Sequence, residues 1–348
     1  MSRQSDLVGL ADNSSNLEAI SSAYGAGALS NRNLIINGAM QVAQRGTSVT
    51  GSTAGGAYLA IDRWATHASG ATYNISQETV TVGGETGLPT EFTKYLRFNA
   101  TTGANNCGTW QTIEDVQRVQ GTYTISFYAK GTNPSGGALS LTTRQAFGSG
   151  GSADVDPTVN NFTLTSSWQR FTFTVSIPSV SGKTIGTSSY FRIFIHQPDA
   201  DNTSNAWTID LTGVQLEVGD TATPFEHRSY GQELALCQRY YYRIDAPIGG
   251  NANDGAFGTS AQYNSTLNFA SVHFPVSVRA ATTLSYSSLS NFSLVGGDNG
   301  TTPTALAINA NTRTTAEFMI TTSGFGAGGQ ANWIRVQSGG WVAFDAEL

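Results

Sequence analysis

Residues 121–130 read Gly-Thr-Tyr-Thr-Ile-Ser-Phe-Tyr-Ala-Lys, with Tyr123, Ile125 and Phe127 at every second position. Successive side chains of a β-strand point to opposite faces, so a period of two describes a strand with one face buried. Residues 170–177 repeat the device with Phe171, Phe173, Val175 and Ile177. Residues 58–66, 73–82, 190–196 and 207–218 continue it, and Leu34, Ile35 and Ile36 make a short apolar strand. Breaks rich in Gly, Ser and Asn, at 131–137 and 148–152 for example, separate these segments. Composition points the same way: 39 glycines with abundant Ser, Thr and Asn disfavour long helices. Many short strands between 31 and 228 predict a two-sheet β-sandwich or jelly roll.

The flanks differ. In residues 1–30, Ser15-Asn16-Leu17-Glu18 has capping-box spacing, and Leu17, Ile20 and Tyr24 then share one helical face. So short a helix is not stable alone in water. It is either a frayed terminus or an attachment segment ordered against a partner. Ser229-Tyr230-Gly231-Gln232 is a second capping box and predicts a helix over 229–243. Leu234, Cys237 and Tyr241 form its apolar stripe. Placed between two β regions, the stripe is a candidate homotrimer interface. Residues 245–348 return to strands, near 257–263, 266–274, 316–321 and 333–344. The expected plan is a segment 1–30, a sandwich 31–228, a linking helix 229–244 and a second, smaller β-sandwich 245–348.

The chemistry is sparse. Charged residues are 12% of the chain and the net charge is −6, with no basic block. Nucleic acid needs clustered Lys and Arg, so it is not an expected partner, and nor is an anionic membrane surface. No apolar run is long enough to span a bilayer, and residues 1–10 carry no apolar core of a secretion signal. Cys107 and Cys237 make no Cys-x-x-Cys pair and read as buried free thiols, with a disulfide as the alternative. Nucleophile-elbow, zincin, phosphate-loop and dinucleotide motifs are missing, and His67, His196, His227 and His273 read as structural. No catalytic centre and no cofactor are expected. Asp154/Asp156 and Asp199/Asp201 are carboxylate pairs in predicted loops. Such pairs ligate calcium, work on glycosidic bonds, or are solvated turns, the bland reading. Of six tryptophans, Trp64 and Trp207 lie in alternating strands and read as core. Trp110, Trp333 and Trp341 have polar or glycine neighbours and are candidates for stacking on sugar rings, with burial as the alternative.

Several stretches together resemble one family. They are Asn33-Leu34-Ile35-Ile36-Asn37-Gly38-Ala39-Met40, Asp62-Arg63-Trp64, Phe127-Tyr128-Ala129-Lys130 and Ser167-Trp168-Gln169-Arg170. The most specific are Thr212-Gly213-Val214-Gln215-Leu216-Glu217-Val218-Gly219, Ala222-Thr223-Pro224-Phe225-Glu226 and Glu233-Leu234-Ala235-Leu236-Cys237-Gln238-Arg239-Tyr240-Tyr241. The combination resembles bacteriophage tail-fibre and tail-appendage proteins of marine and cyanobacterial phages over about residues 31–243. Phe274-Pro275-Val276-Ser277-Val278-Arg279-Ala280 extends it loosely. The resemblance implies a jelly roll akin to carbohydrate-binding modules, carried as a homotrimer on a virion and synthesised in the host cytoplasm. It implies attachment to other virion proteins through 1–30 and recognition of a host cell-surface glycan. Competing expectations are a purely architectural virion part and a polysaccharide depolymerase; the latter would more commonly show a short-period β-helix repeat, and none is present. Such modules often carry a calcium-binding Asp-Asp-Val on the closing strand. Here Thr212-Gly213-Val214 stands in its place, with Asp210 as the nearby carboxylate.

Overall fold

A computed structural model describes residues 32–102, 106–134, 137–198, 206–247, 255–296 and 299–348. Leu17, Ile20 and Tyr24, with the rest of 1–30, lie outside the described residues, as do Asp199 and Asp201. The chain divides into two units between Arg228 and Ser229.

The alternating segments of the first unit become strands. Among the described residues these are β1 (Ser48–Ser52), β2 (Ala57–Tyr58), β3 (Ala65–His67), β4 (Thr72–Thr79), β5 (Lys94–Thr102) and β6 (Gly108–Glu114). There follow β7 (Gly121–Thr132), β8 (Leu139–Ala146), β9 (Val155–Phe162), β10 (Gln169–Ile177), β11 (Tyr190–His196) and β12 (Trp207–Val218). They form two antiparallel sheets, β1-β4-β5-β12-β7-β10 and β2-β3-β6-β11-β8-β9, between which the chain crosses repeatedly, as in a jelly roll. The core is the set of alternate positions facing the partner sheet. Tyr123, Ile125 and Phe127 of β7 meet Phe191, Ile193 and Ile195 of β11 there, with Trp64 and Trp207 fully enclosed.

Leu34, Ile35 and Ile36 do not form the expected strand. Side chains replace the missing ladder: Ile36 N donates to Gln111 Oε1 at 2.8 Å, and Gln111 Nε2 donates to Ile36 O at 2.7 Å. Asn33 Oδ1 accepts from Ile35 N at 2.9 Å and Leu216 N at 3.1 Å. The 58–66 strand survives only at its ends, as β2 and β3, because a turn at 61–63 occupies its middle.

The second unit opens on the helix α1 (Tyr230–Gln238). Its capping box is formed as the spacing predicts, Ser229 Oγ taking Gln232 N at 3.3 Å. The helix is shorter than predicted. It stops at Gln238, and Tyr241–Asp245 is strand β13, with Tyr241 opposite Asp345. The run Tyr240-Tyr241-Tyr242-Arg243-Ile244 suits a pleated surface better than a helix, and a C-terminal strand is there to pair with it. Tyr241 therefore does not extend a helical stripe.

The other strands here are β14 (Ala256–Gln262), β15 (Leu267–His273), β16 (Thr283–Tyr286), β17 (Phe292–Gly296) and β18 (Asn299–Thr301). The last are β19 (Ala305–Asn311), β20 (Thr315–Thr321), β21 (Ala331–Val336) and β22 (Trp341–Asp345). They make sheets β13-β22-β16 and β18-β17-β21-β14-β15-β20-β19. Val342 and Phe344 of the smaller sheet pack with Phe318, Ile320 and Ile334 of the larger, so this unit is also a sandwich. No helix among the described residues is long and apolar enough to cross a membrane.

Candidate functional site: an aromatic and arginine face on the first sandwich

The sheet β2-β3-β6-β11-β8-β9 has an inner face in the core and an outer face. Strand β11 reads Tyr-Phe-Arg-Ile-Phe-Ile-His, with Phe191, Ile193 and Ile195 inward. That alternation sends Tyr190, Arg192, Phe194 and His196 to the opposite face together, where Tyr190 and Arg192 are half-buried and Phe194 and His196 are buried. The register sets Trp110 of β6 opposite Phe194, Thr112 opposite Arg192 and Gly108 opposite His196. On the other flank β8 sets Arg144 opposite Arg192, Thr142 opposite Phe194 and Ser140 opposite His196.

The outward rings touch. Phe194 and His196 stack with centroids 4.0 Å apart and planes 3° from parallel. Trp110 meets Phe194 edge-on at 5.3 Å, and His67 of β3 lies 5.4 Å from Trp110 and 5.8 Å from Phe194. Between His67 and His196 in the register stands Gly108, where a Cβ would fall 2.2 Å from Ile195 O and 2.6 Å from His196 Cα. His196 Nε2 is 3.2 Å from Thr142 Oγ1 and Nδ1 is 3.0 Å from Gln197 O, so both ring nitrogens are engaged.

Two guanidinium groups flank the rings and differ in their partners. Arg144 forms a fork with Asp156, Nε to Oδ1 at 2.6 Å and Nη2 to Oδ2 at 2.7 Å, and lies 3.8 Å from Asp154. The Arg144 hydrogen bonds hold the Asp156 carboxyl below the ordinary carboxylate range, against the opposing pull of partial burial. Arg192 lies over Trp110 at 4.7 Å and over Phe194 at 5.7 Å, and its buried Nε has no hydrogen-bond partner. Burial pulls the Arg192 pKa below its ordinary value.

Of the sequence-predicted residues, Trp110 is on this face and half-buried. Asp154 and Asp156 are at its margin, held by Arg144 rather than grouped for a cation. Among the described residues no three His, Cys, Asp or Glu side chains gather as metal ligands. Asp210 is buried and forked to Arg97 at 2.7 and 2.8 Å, and Thr212 and Gly213 sit where the β12–β7 register shifts. Cys107 and Cys237 are free and buried; burial pushes the Cys107 thiol up to about 11.

Trp333 and Trp341 are in the second unit. Trp333 is 53% exposed on β21, opposite Thr259 and Val295, with Arg335 over its ring at 5.4 Å. Thr259 also lines a depression of about 770 Å³, together with Tyr242, Phe269, His273 and Gln330. Trp341 is half-buried under Arg243, 4.8 Å from its ring, and Arg243 is paired with Asp245. Of the proposed interface stripe, Leu234 is half-buried while Cys237 and Tyr241 are buried. Sequence reading missed Arg192, Phe194, His196 and Arg144. The signal was present in residues 190–196, whose outward positions carry rings and a cation instead of the small polar residues of a plain solvent face.

No protein family matches the sequence, and no curated protein does. Partial structural likenesses exist. The N-terminal cellulose-binding domain of Cellulomonas fimi β-1,4-glucanase C is similar at 17% identity over 42% of this chain and 90% of that one, with a TM-score of 0.29. The enzymatically active domain of bacteriophage CBA120 tailspike protein 4 is similar at 11% identity over 54% of this chain and 22% of that one, with a TM-score of 0.31. A cyclase from Fischerella sp. TAU is similar at 12% identity over 51% and 90%, with a TM-score of 0.34. The three differ in activity, so they do not choose between binding and catalysis.

Proposed function

We propose that the protein is a non-enzymatic, glycan-binding subunit of a bacteriophage tail appendage, and that the outer face around Trp110 and Arg192 is its sugar site. The observation that carries this reading is the ring group His67–Trp110–Phe194–His196 beside an arginine whose buried donor is unpartnered. Sugar rings offer apolar C–H faces to aromatic planes and hydroxyls to fixed donors; here the half-buried Trp110 is the ring in reach, with the Arg192 guanidinium beside it, while Phe194 and His196 are buried. It also stands apart from the core, so a ligand there need not open the sandwich. That Asp154 and Asp156, the candidate carboxylates among the described residues, are tied to Arg144 supports binding rather than hydrolysis there, because a glycosidic acid or base must be free to exchange a proton.

The fibre reading adds a homotrimeric state, attachment to the virion through residues 1–30, and a host-facing second unit in which Trp333 is open to contact. A weak single site would then gain avidity of about 10²–10⁴ by multivalency. The test is binding of purified protein to a glycan microarray and to bacterial cells. Trp110→Ala is expected to abolish binding while circular dichroism stays unchanged. Unchanged binding by a folded Trp110→Ala protein removes this face as the site. Sedimentation of the full chain tests the trimer, and a monomer at micromolar concentration rules it out.

A further inference from the structure

The rings of the face would hold a sugar of any charge; Arg192 narrows the choice. Two arginines stand directly opposite each other on neighbouring strands, Arg192 on β11 and Arg144 on β8. Like charges at such positions repel. Arg144 is compensated, since both nearby carboxylates, Asp156 and Asp154, are on its own guanidinium. The buried Nε of Arg192 has no hydrogen-bond partner, and its guanidinium lies over the rings of Trp110 and Phe194. Its cross-strand partner on the other side, Thr112, is neutral, and Glu114 stands opposite Tyr190. The cation has therefore given up water on its Nε side, and Asp156 and Asp154, which are bound to Arg144, act on it only at a distance.

A neutral hydroxyl would not restore what that cation has lost. An anionic oxygen would, because it adds the attraction of opposite charges to the hydrogen bond that any acceptor makes with a guanidinium, and the guanidinium fork matches a planar carboxylate or two sulfate oxygens. Resting on the glycan reading above, we infer that the ligand is an anionic glycan. Its acidic group, a uronate-type carboxylate or a sulfate ester, pairs with Arg192 while the sugar ring lies against the half-buried Trp110.

The experiment uses the full-length protein and matched carbohydrate probes: uronic-acid oligosaccharides, their carboxyl-reduced neutral counterparts, and sulfated forms of those neutral oligomers, compared by calorimetry and on an array. The expected result is at least tenfold tighter binding of an anionic member than of its neutral partner, weakening as salt is raised. Preference for the carboxylated or for the sulfated series tells which acid is bound. Arg192→Gln should erase the preference and leave weak binding of the neutral form, with Arg192→Lys recovering part of it, while Trp110→Ala loses both forms. Equal affinity for charged and neutral partners, with Trp110→Ala still abolishing binding, overturns the anionic inference and leaves the glycan site standing. Binding of no carbohydrate on the array overturns both. Circular dichroism of each variant separates loss of binding from loss of fold.

Discussion

Gly38 and Val214 meet backbone to backbone. Val214 N donates to Gly38 O at 3.0 Å, and a Cβ on residue 38 would lie 2.2 Å from Val214 O. The contact docks the segment before β1 onto the closing strand β12. Gly38→Ala must push the two apart, so we expect a loss of about 1–3 kcal/mol, the usual cost of overpacking. Chemical denaturation followed by tryptophan fluorescence measures it.

Gly231 is the opposite case. It lies in α1, a Cβ there meets nothing within 4 Å, and its φ is not positive. Gly231→Ala is expected to stabilise the second unit by about 0.5–1 kcal/mol, through lower entropy of the unfolded chain. Ser229→Ala removes the capping hydroxyl and should cost about 1 kcal/mol. Thermal melts of the two single variants should therefore shift in opposite directions.

Acid should weaken the first sandwich through Glu85. Burial raises its pKa, but hydrogen bonds from Lys130 and Trp168 outweigh that and hold it at about 2, below its ordinary 4.5. A depressed carboxylate contributes its full stability above the unfolded value and loses it as pH falls from about 4.5 toward 2. Asp156 is lowered and acts in the same direction, whereas Asp62, raised by burial, acts in the other. Glu85→Gln should cost stability near neutrality and flatten the fall between those pH values. Denaturation midpoints collected from pH 2 to 7 for both proteins give the comparison.

The tryptophans should separate by burial on truncation. Trp64 is fully buried and its Nε1 donates to Asn37 O at 3.1 Å, so Trp64→Ala should cost about 3–5 kcal/mol. Trp333→Ala, on an outer face, should stay within about 1 kcal/mol. Trp341→Ala should fall between them, since its ring lies under Arg243. Equal losses at 64 and 333 would show that the seven-stranded sheet depends on its outer face.

What the sequence disclosed follows from what its motifs do. Asn33, Asn37, Asp62, Trp64, Trp168 and Glu217 belong to the stretches that carry the resemblance, and all are buried fastenings. Asn37 binds Val42 and Asp62 backbone oxygens, and Glu217 takes the amide and hydroxyl of Thr223 at 2.9 and 2.6 Å. Such residues report a fold and carry no information about a ligand. The strands of β7, β10 and β12 were legible because one face of each is apolar. The 34–36 segment was not, because its backbone amides go to three unlike partners, the Leu216 backbone, the neighbouring Asn33 side chain and the distant Gln111 side chain, instead of one ladder. Helix α1 was read too long because pairing of Tyr241 with Asp345 depends on a strand a hundred residues on. Trp110 was found as a type of residue, whereas Arg192 and Phe194 became its neighbours only through strand register.

Strand β11 holds two inscriptions in one line of text. Read at Phe191, Ile193 and Ile195 it packs a sandwich; read at Tyr190, Arg192, Phe194 and His196 it faces outward. Because the pleat keeps these sets on opposite sides, substitutions in the second leave the first untouched. A lineage carrying this chain could therefore exchange Arg192 or Tyr190 for other side chains and meet a different surface each time, while the sandwich underneath stays the same.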